Sequence, residues 1–178
     1  MACTSVGRSA FYVYFKDRYQ LIEALLKIVQ EDFNQAAFPW FQGTDDPVAA
    51  LYESLTSVIN LSVVHGPILR AVSEAAPLDT KLEALWTGFM TFFDEGVEAA
   101  IIRDQKAGKI GNLNPRETSF ALNCMNINYL IQSFGKNPQA NPKTALNTLF
   151  GIWRSALFAE TEIHGQVHLE RPKSTKKD

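Results

Sequence analysis

Cysteine, histidine and unbroken apolar runs are all scarce in this sequence. Its 178 residues contain two cysteines, Cys3 and Cys124, far apart and outside any C-x-x-C or Cys/His spacing. That excludes a disulfide scaffold and a zinc motif and reads as two free thiols in a reducing cytoplasm. The histidines are His65, His164 and His168. The last two stand four apart with Gly165 between them, and no Cys or carboxylate pattern completes a metal site. Every long apolar stretch is interrupted by a charge, Asn, Gly or Pro, and no leader pattern follows Met1, so neither a signal peptide nor a membrane-spanning helix is expected. An excess of one charge is missing too: 17 Lys+Arg stand against 19 Asp+Glu, a formal net charge of -2. A body that is basic all over is excluded, and any nucleic-acid surface has to be a local patch. No G-x-S-x-G, P-loop or G-x-G-x-x-G occurs, and Asp45-Asp46 and Asp94-Glu95 read as helix caps or solvated faces. No enzymatic activity, metal or cofactor is expected.

What the chain does have is apolar residues at helical spacing. With 46% hydrophobic residues a chain of this length can bury one sizeable core. Leu21, Leu25, Ile28, Val29 and Phe33 form one stripe, and Leu51, Leu55, Val58 and Ile59 another. Leu82, Leu85, Trp86, Phe89, Met90, Phe93 and Val97 form the strongest. Asp46-Pro47, Asn114-Pro115 and Asn141-Pro142 each place a capping side chain before a first-turn proline. Phe38-Pro39, Gly66-Pro67 and Ala76-Pro77 read as breaks. The pattern predicts an all-α protein with a short helix near 8–14 and longer ones near 18–37, 46–64, 67–75, 79–107, 115–134 and 142–161. The charged end from Arg171 reads as a flexible tail.

Two regions carry candidate function. Near the start, Arg8, Ser9, Tyr12, Tyr14, Lys16 and Arg18 supply hydrogen-bond donors of the kind that position phosphates, while Phe11 and Phe15, four apart, share a face. On chemistry alone this segment serves equally as a DNA-facing helix or as an aromatic turn packed on the next helix. In the body, Trp86, Met90 and Phe93 share one helix face flanked by Phe89, and Asn123 and Asn126 share another. Two amides on an apolar, aromatic face suit the orienting contact of a hydrophobic ligand. The alternative is plain core, with the asparagines bonded to neighbouring backbone.

The run Val6-Gly7-Arg8-Ser9-Ala10-Phe11-Tyr12-Val13-Tyr14-Phe15-Lys16-Asp17-Arg18 resembles the recognition helix of TetR-family transcriptional regulators and the start of the long helix after it. The resemblance implies that Ser9, Ala10 and Tyr12 face bases or phosphates, that Tyr14 and Arg18 contact phosphate, and that Phe11 and Phe15 seat the small domain on the body. Ala10 stands where a hydroxyl residue is usual and Gly7 where a capping serine is usual. Only Met1 to Ser5 precede the motif, so the first helices of the DNA-binding domain are expected to be absent. Further runs, Leu85 to Met90, Ala121 to Asn126, Ser133-Phe134 and Ile152 to Ser155, are similar in order and separation to the ethionamide-resistance branch of that family. The resemblance there implies an apolar ligand tunnel that accepts amide- or ester-like effectors, lined by Trp86, Phe89, Met90, Phe93, Asn123, Asn126 and Trp153. Leu51, Val58 and Ser62 stand where larger aromatics are usual.

The last two helices carry apolar residues on more than one face, which suggests a second burial surface. In the family the equivalent helices form a homodimer, which implies Phe120, Leu130, Ile131, Leu146, Leu149, Phe150 and Leu157 as interface residues. The division expected is therefore residues 1–18 as the remnant of a helix-turn-helix domain, 19–162 as an effector-binding and dimerisation domain, and 163–178 as tail. The expected function is a cytoplasmic, homodimeric, ligand-responsive repressor that binds a double-stranded DNA operator and is released by a small hydrophobic effector. A dimeric small-molecule-binding module without DNA binding is the alternative. A helical enzyme acting on an apolar substrate is a more remote third.

Overall fold

A computed structural model describes residues 15–158. These form five α-helices and one short 3-10 turn: α1 Arg18–Gln42, α2 Pro47–Ala75, the turn Ala76–Leu78, α3 Thr80–Lys106, α4 Pro115–Phe134 and α5 Pro142–Phe158. Among the described residues there is no strand. The expected helix near 8–14 and the tail lie outside the described residues.

Each helix starts where a short polar side chain satisfies a free backbone N–H. Asp17 accepts from the Gln20 amide at 2.9 Å, Asp46 from Ala49 at 2.9 Å and Asn114 from Glu117 at 3.3 Å. Asn141 accepts from Lys143 at 2.9 Å and Thr144 at 3.2 Å. Pro47, Pro115 and Pro142 follow three of these caps as first-turn residues.

Two expected breaks are not breaks, which corrects the helix boundaries. The helix expected to end at residue 37 runs through Pro39 to Gln42, and the helices expected at 46–64 and 67–75 are one, running through Gly66-Pro67. A proline inside a helix removes the N–H that would reach the carbonyl four residues back. For Pro67 that carbonyl belongs to Val63, and it accepts instead from Gln139 Nε2 at 2.9 Å. Gly66 is a contact point: a Cβ there would lie 2.5 Å from the Phe134 carbonyl oxygen, so α2 and the end of α4 touch backbone to backbone.

Helix α2 is the central element, packed against α1, α4 and α5. The stretch Pro47–Leu78 is long and apolar enough, by length and composition, to cross a membrane. Here Leu51, Leu55, Val58, Ile59, Leu69 and Val72 are instead buried within the bundle, as in the core helix of a globular domain. Phe134, Leu51, Ile59, Leu69, Ile101, Leu130, Leu149 and Leu157 are its most enclosed large side chains.

Burial also revises the expected dimer surface. Leu130, Ile131, Leu146, Leu149 and Leu157 belong to the core of the single chain and have no area to offer a second copy. Of the seven, only Phe120, 56% exposed, and the half-buried Phe150 reach the surface. The extra apolar content of α4 and α5 is largely absorbed by α2, which lies against both.

Candidate functional site

Between the helices lies an apolar cavity to which all five contribute. Phe33, Ala37, Trp40 and Phe41 come from α1, Leu51, Ser54, Leu55 and Val58 from α2, and Phe89, Met90, Phe93 and Val97 from α3. Asn123, Asn126, Ile127 and Leu130 come from α4, and Trp153 from α5. The space open to the centre of a water molecule is about 80 Å³, several times what a single water needs. No ionisable side chain lines it.

Helical periodicity explains the wall. Phe33, Ala37 and Trp40 recur at four- and three-residue steps on α1, as Leu51, Leu55 and Val58 do on α2 and Phe89, Phe93 and Val97 do on α3, so each helix turns one stripe inward. The aromatic rings lock against one another edge to face: Trp40 on Trp153 with centroids 5.8 Å apart, Phe89 on Phe93 at 5.1 Å and Phe33 on Phe93 at 6.3 Å.

The end of α1 that carries Trp40 is held from two sides. Ser54 Oγ accepts from the Trp40 amide at 3.3 Å and donates to the Ala37 carbonyl at 3.3 Å. Arg103 on α3 caps the helix, donating from Nη2 to the Trp40 carbonyl at 3.0 Å and from Nη1 to the Phe41 carbonyl at 2.5 Å. Its Nε donates to the buried Asp104 carboxylate at 2.9 Å. Gly43 follows in a left-handed conformation, φ 80°, packed so closely on the guanidinium that a Cβ would stand 2.7 Å from Arg103 Nε.

Of the seven expected lining residues, Phe89, Met90, Phe93, Asn123, Asn126 and Trp153 meet at this cavity. Trp86 stacks on Phe89 at 5.5 Å and lines a neighbouring groove instead, with Thr87, Thr91, Asp94, Phe120, Cys124 and Asn128; that groove shares Met90 and Ile127 with the cavity. Burial, then the Asp94 charge, raises the Cys124 thiol pKa. Leu51 and Val58 line the cavity, whereas Ser62 is buried elsewhere and donates to the Val58 carbonyl at 2.8 Å. The whole α1 contribution went unread, because taking Pro39 as a helix end removed Trp40 and Phe41 from the stripe that Phe33 and Ala37 begin.

The two asparagines differ. Asn123 Nδ2 donates to Asp94 Oδ1 at 2.8 Å. Asn126 Oδ1 is buried without a partner, and so are the indole nitrogens of Trp40 and Trp153. Among the described residues four buried side-chain polar atoms lack a partner, and three of them belong to residues that line the cavity.

At the opposite end of α1, the guanidinium of Arg18 donates to Asp79 Oδ2 at 2.9 Å and to the Tyr19 hydroxyl at 2.8 Å, and that hydroxyl donates to Asp79 Oδ2 at 2.7 Å. The tyrosine hydroxyl lowers the Asp79 pKa, helped by the Lys81 and Leu82 amides that the same carboxylate caps. Arg18, expected on phosphate, is thus tied to the start of α3. Lys16 is exposed. Arg8, Ser9, Ala10, Tyr12 and Tyr14 lie outside the described residues.

Comparison with known proteins places this arrangement. The family model of the C-terminal domain of the transcriptional regulator EthR matches residues 51–159, more than half of the chain. A crystal structure assigned as a TetR-family transcriptional regulator from Rhodococcus sp. superposes with a TM-score of 0.64 at 19% identity, over 84% of this chain and 80% of that one. The crystal structure of AibR in complex with isovaleryl coenzyme A and operator DNA superposes with a TM-score of 0.55 at 15% identity, over 81% of this chain and 78% of that one. At these identities the likeness to both structures is one of fold. No curated protein sequence matches. On the family match, the chain belongs to the EthR C-terminal-domain family of transcriptional regulators, and its helices take the TetR-like all-α arrangement.

Proposed function

We propose that this chain is the effector-sensing part of a cytoplasmic, homodimeric transcriptional repressor that a small hydrophobic ligand releases from its DNA operator. The observation that carries the reading is the apolar cavity bounded by all five helices, three of whose lining residues carry a buried polar atom without a partner. A core built only for stability would close such a space, since unfilled volume and unsatisfied polar atoms both cost free energy. AibR, which shares the fold, is described as bound to both a small molecule and operator DNA. The exposed Phe120 on α4 and Ile152 on α5 are the apolar positions a second copy would cover.

Helix α1 supplies the connection. Its 25 residues span roughly 37 Å at 1.5 Å per residue, with Trp40 at the cavity end and Arg18 beside the segment that resembles a recognition helix. Occupying the cavity displaces the Trp40 end, and a rigid helix carries that tilt to the other end, where Arg18 and Tyr19 bear on Asp79. Release follows as a population shift when the ligand fits the tilted state better.

Selection from random duplexes followed by mobility-shift titration tests this. The expected outcome is binding to a two-fold sequence, weakening steeply with salt and weakening about 5- to 150-fold when the cavity ligand is added. Ligand binding by a protein that selects no duplex sequence would contradict the repressor reading and leave a dimeric small-molecule-binding module.

A further inference from the structure

We infer that the Asp79 carboxylate is a latch: it holds the start of α1 to the start of α3 and so opposes the tilt that a cavity ligand requires. The inference rests on the cavity being a ligand site, as proposed above, and adds where along α1 the ligand has to do its work. Helices α1 and α3 run side by side in the same direction and meet in step. Arg18 and Tyr19 meet Asp79 at the two starts, Phe33 meets Phe93 midway, and the Trp40 and Phe41 carbonyls meet Arg103 near the two ends. Phe33 and Phe93 both line the cavity, which therefore lies between two polar clamps that draw the same pair of helices together. A ligand that pushes α1 away from α3 works against both. The clamps are unequal. At the Arg103 end the Asp104 side chain is 2% exposed and Gly43 packs on the guanidinium, so parting there would strand a buried charge. At the other end Arg18 is 68% exposed and Asp79 19%, and water takes over much of what is lost. The Asp79 clamp is the one that yields.

The bonding at Asp79 suits a contact that opens and recloses. Its Oδ1 accepts from the Lys81 and Leu82 amides at 3.0 and 3.3 Å and caps α3. Its Oδ2 accepts from the Arg18 guanidinium and the Tyr19 hydroxyl. Because the two oxygens divide the tasks, α3 keeps its cap when Arg18 and Tyr19 leave. Tyr19 is the hub on the α1 side, with Lys81 Nζ 4.8 Å and the Arg18 guanidinium carbon 4.9 Å from its ring centroid.

Calorimetric titration of the full chain with hexanamide tests the latch through linkage, since a contact made only in the closed state lowers the affinity of any ligand that prefers the open one. Tyr19→Phe keeps the ring and removes the hydroxyl, whereas Asp79→Asn keeps a cap on α3 and removes the charge. Each is expected to raise hexanamide affinity about two- to fivefold, although neither residue lines the cavity. Glu74→Gln breaks the exposed Arg70–Glu74 pair on α2 and is expected to change affinity by less than about 1.5-fold. Unchanged or weaker binding in latch variants that circular dichroism shows to be folded overturns the latch and leaves the cavity as a ligand site; Tyr19→Phe, the milder change, decides if Asp79→Asn does not fold. An equal rise in Glu74→Gln also overturns it, because the gain would then follow from lost stability anywhere. Absence of hexanamide binding by the unsubstituted chain overturns the cavity reading and the latch together.

Discussion

Arg103 ties together parts of the chain that are about sixty residues apart in sequence. Its guanidinium caps two carbonyls at the end of α1 and neutralises Asp104, whose side chain is only 2% exposed. Arg103→Ala would leave that carboxylate buried without a counter-charge and take the guanidinium donor from the Phe41 carbonyl, while the Trp40 carbonyl would keep the Gly43 amide at 3.2 Å. Arg103 itself is about one-third exposed, so water replaces part of what is lost; the expected cost is about 2–4 kcal/mol in urea unfolding. Arg103→Lys should recover only a minor part, because a lysine cannot reach two carbonyls and a carboxylate with a planar fork. A loss below about 0.5 kcal/mol for Arg103→Ala would show that the cap does not hold the Trp40 end of the cavity. None of this was legible in the sequence, where Arg103 and Asp104 sit among the charges that close α3 and nothing marks them as a pair reaching another helix. For Phe89, Met90 and Phe93 on one helix and Asn126 on another, spacing pointed to an inward face but left plain core open, and the resemblance supplied the reading as a ligand wall.

At the scale of the helices, the starts were readable and two of the interruptions were not. A capping Asp or Asn before proline acts within one turn, so Asp46, Asn114 and Asn141 mark their helices without help from the rest of the fold. Gly66-Pro67 carries a local penalty that a distant partner offsets: Gln139 takes over the carbonyl that Pro67 strands, and the missing glycine side chain lets α2 meet Phe134. Local pattern cannot reveal either. Two glycine substitutions separate these roles. Gly66→Ala would drive a Cβ into backbone that cannot move aside, with an expected cost of about 2–3 kcal/mol. Gly88→Ala, where nothing lies within 4 Å, should stabilise α3 by about 0.5–1 kcal/mol. Equal effects at the two positions, measured by thermal or urea unfolding, would mean that Gly66 is not a packing contact. Helix α5 turns Leu146, Leu149, Trp153 and Leu157 inward, and residues 159–161, expected as its last turn, lie outside the described residues.

For the whole molecule, the small net charge and the apolar core of the described residues suit the proposed reading, in which the helical body takes the effector and DNA contact falls to another part of the protein. In that reading helix α1 would link the two tasks, with Trp40 lining the cavity at one end and the Arg18–Tyr19–Asp79 cluster at the other. The expectation of an all-α bundle with an apolar, aromatic-lined interior followed from periodicity and resemblance together. The α1 contribution did not, and it brings Phe33, Trp40 and Phe41 into the wall that Leu51 and Val58 also line. In the proposed reading this space is where the effector sits. Affinity for hexanamide, a small apolar amide of the class the resemblance implies, decides the matter when measured in Val58→Phe with thermal unfolding recorded on the same sample: a variant that stays folded and loses at least about tenfold in affinity is the predicted result, and a folded variant that binds hexanamide as the unsubstituted protein does would contradict it.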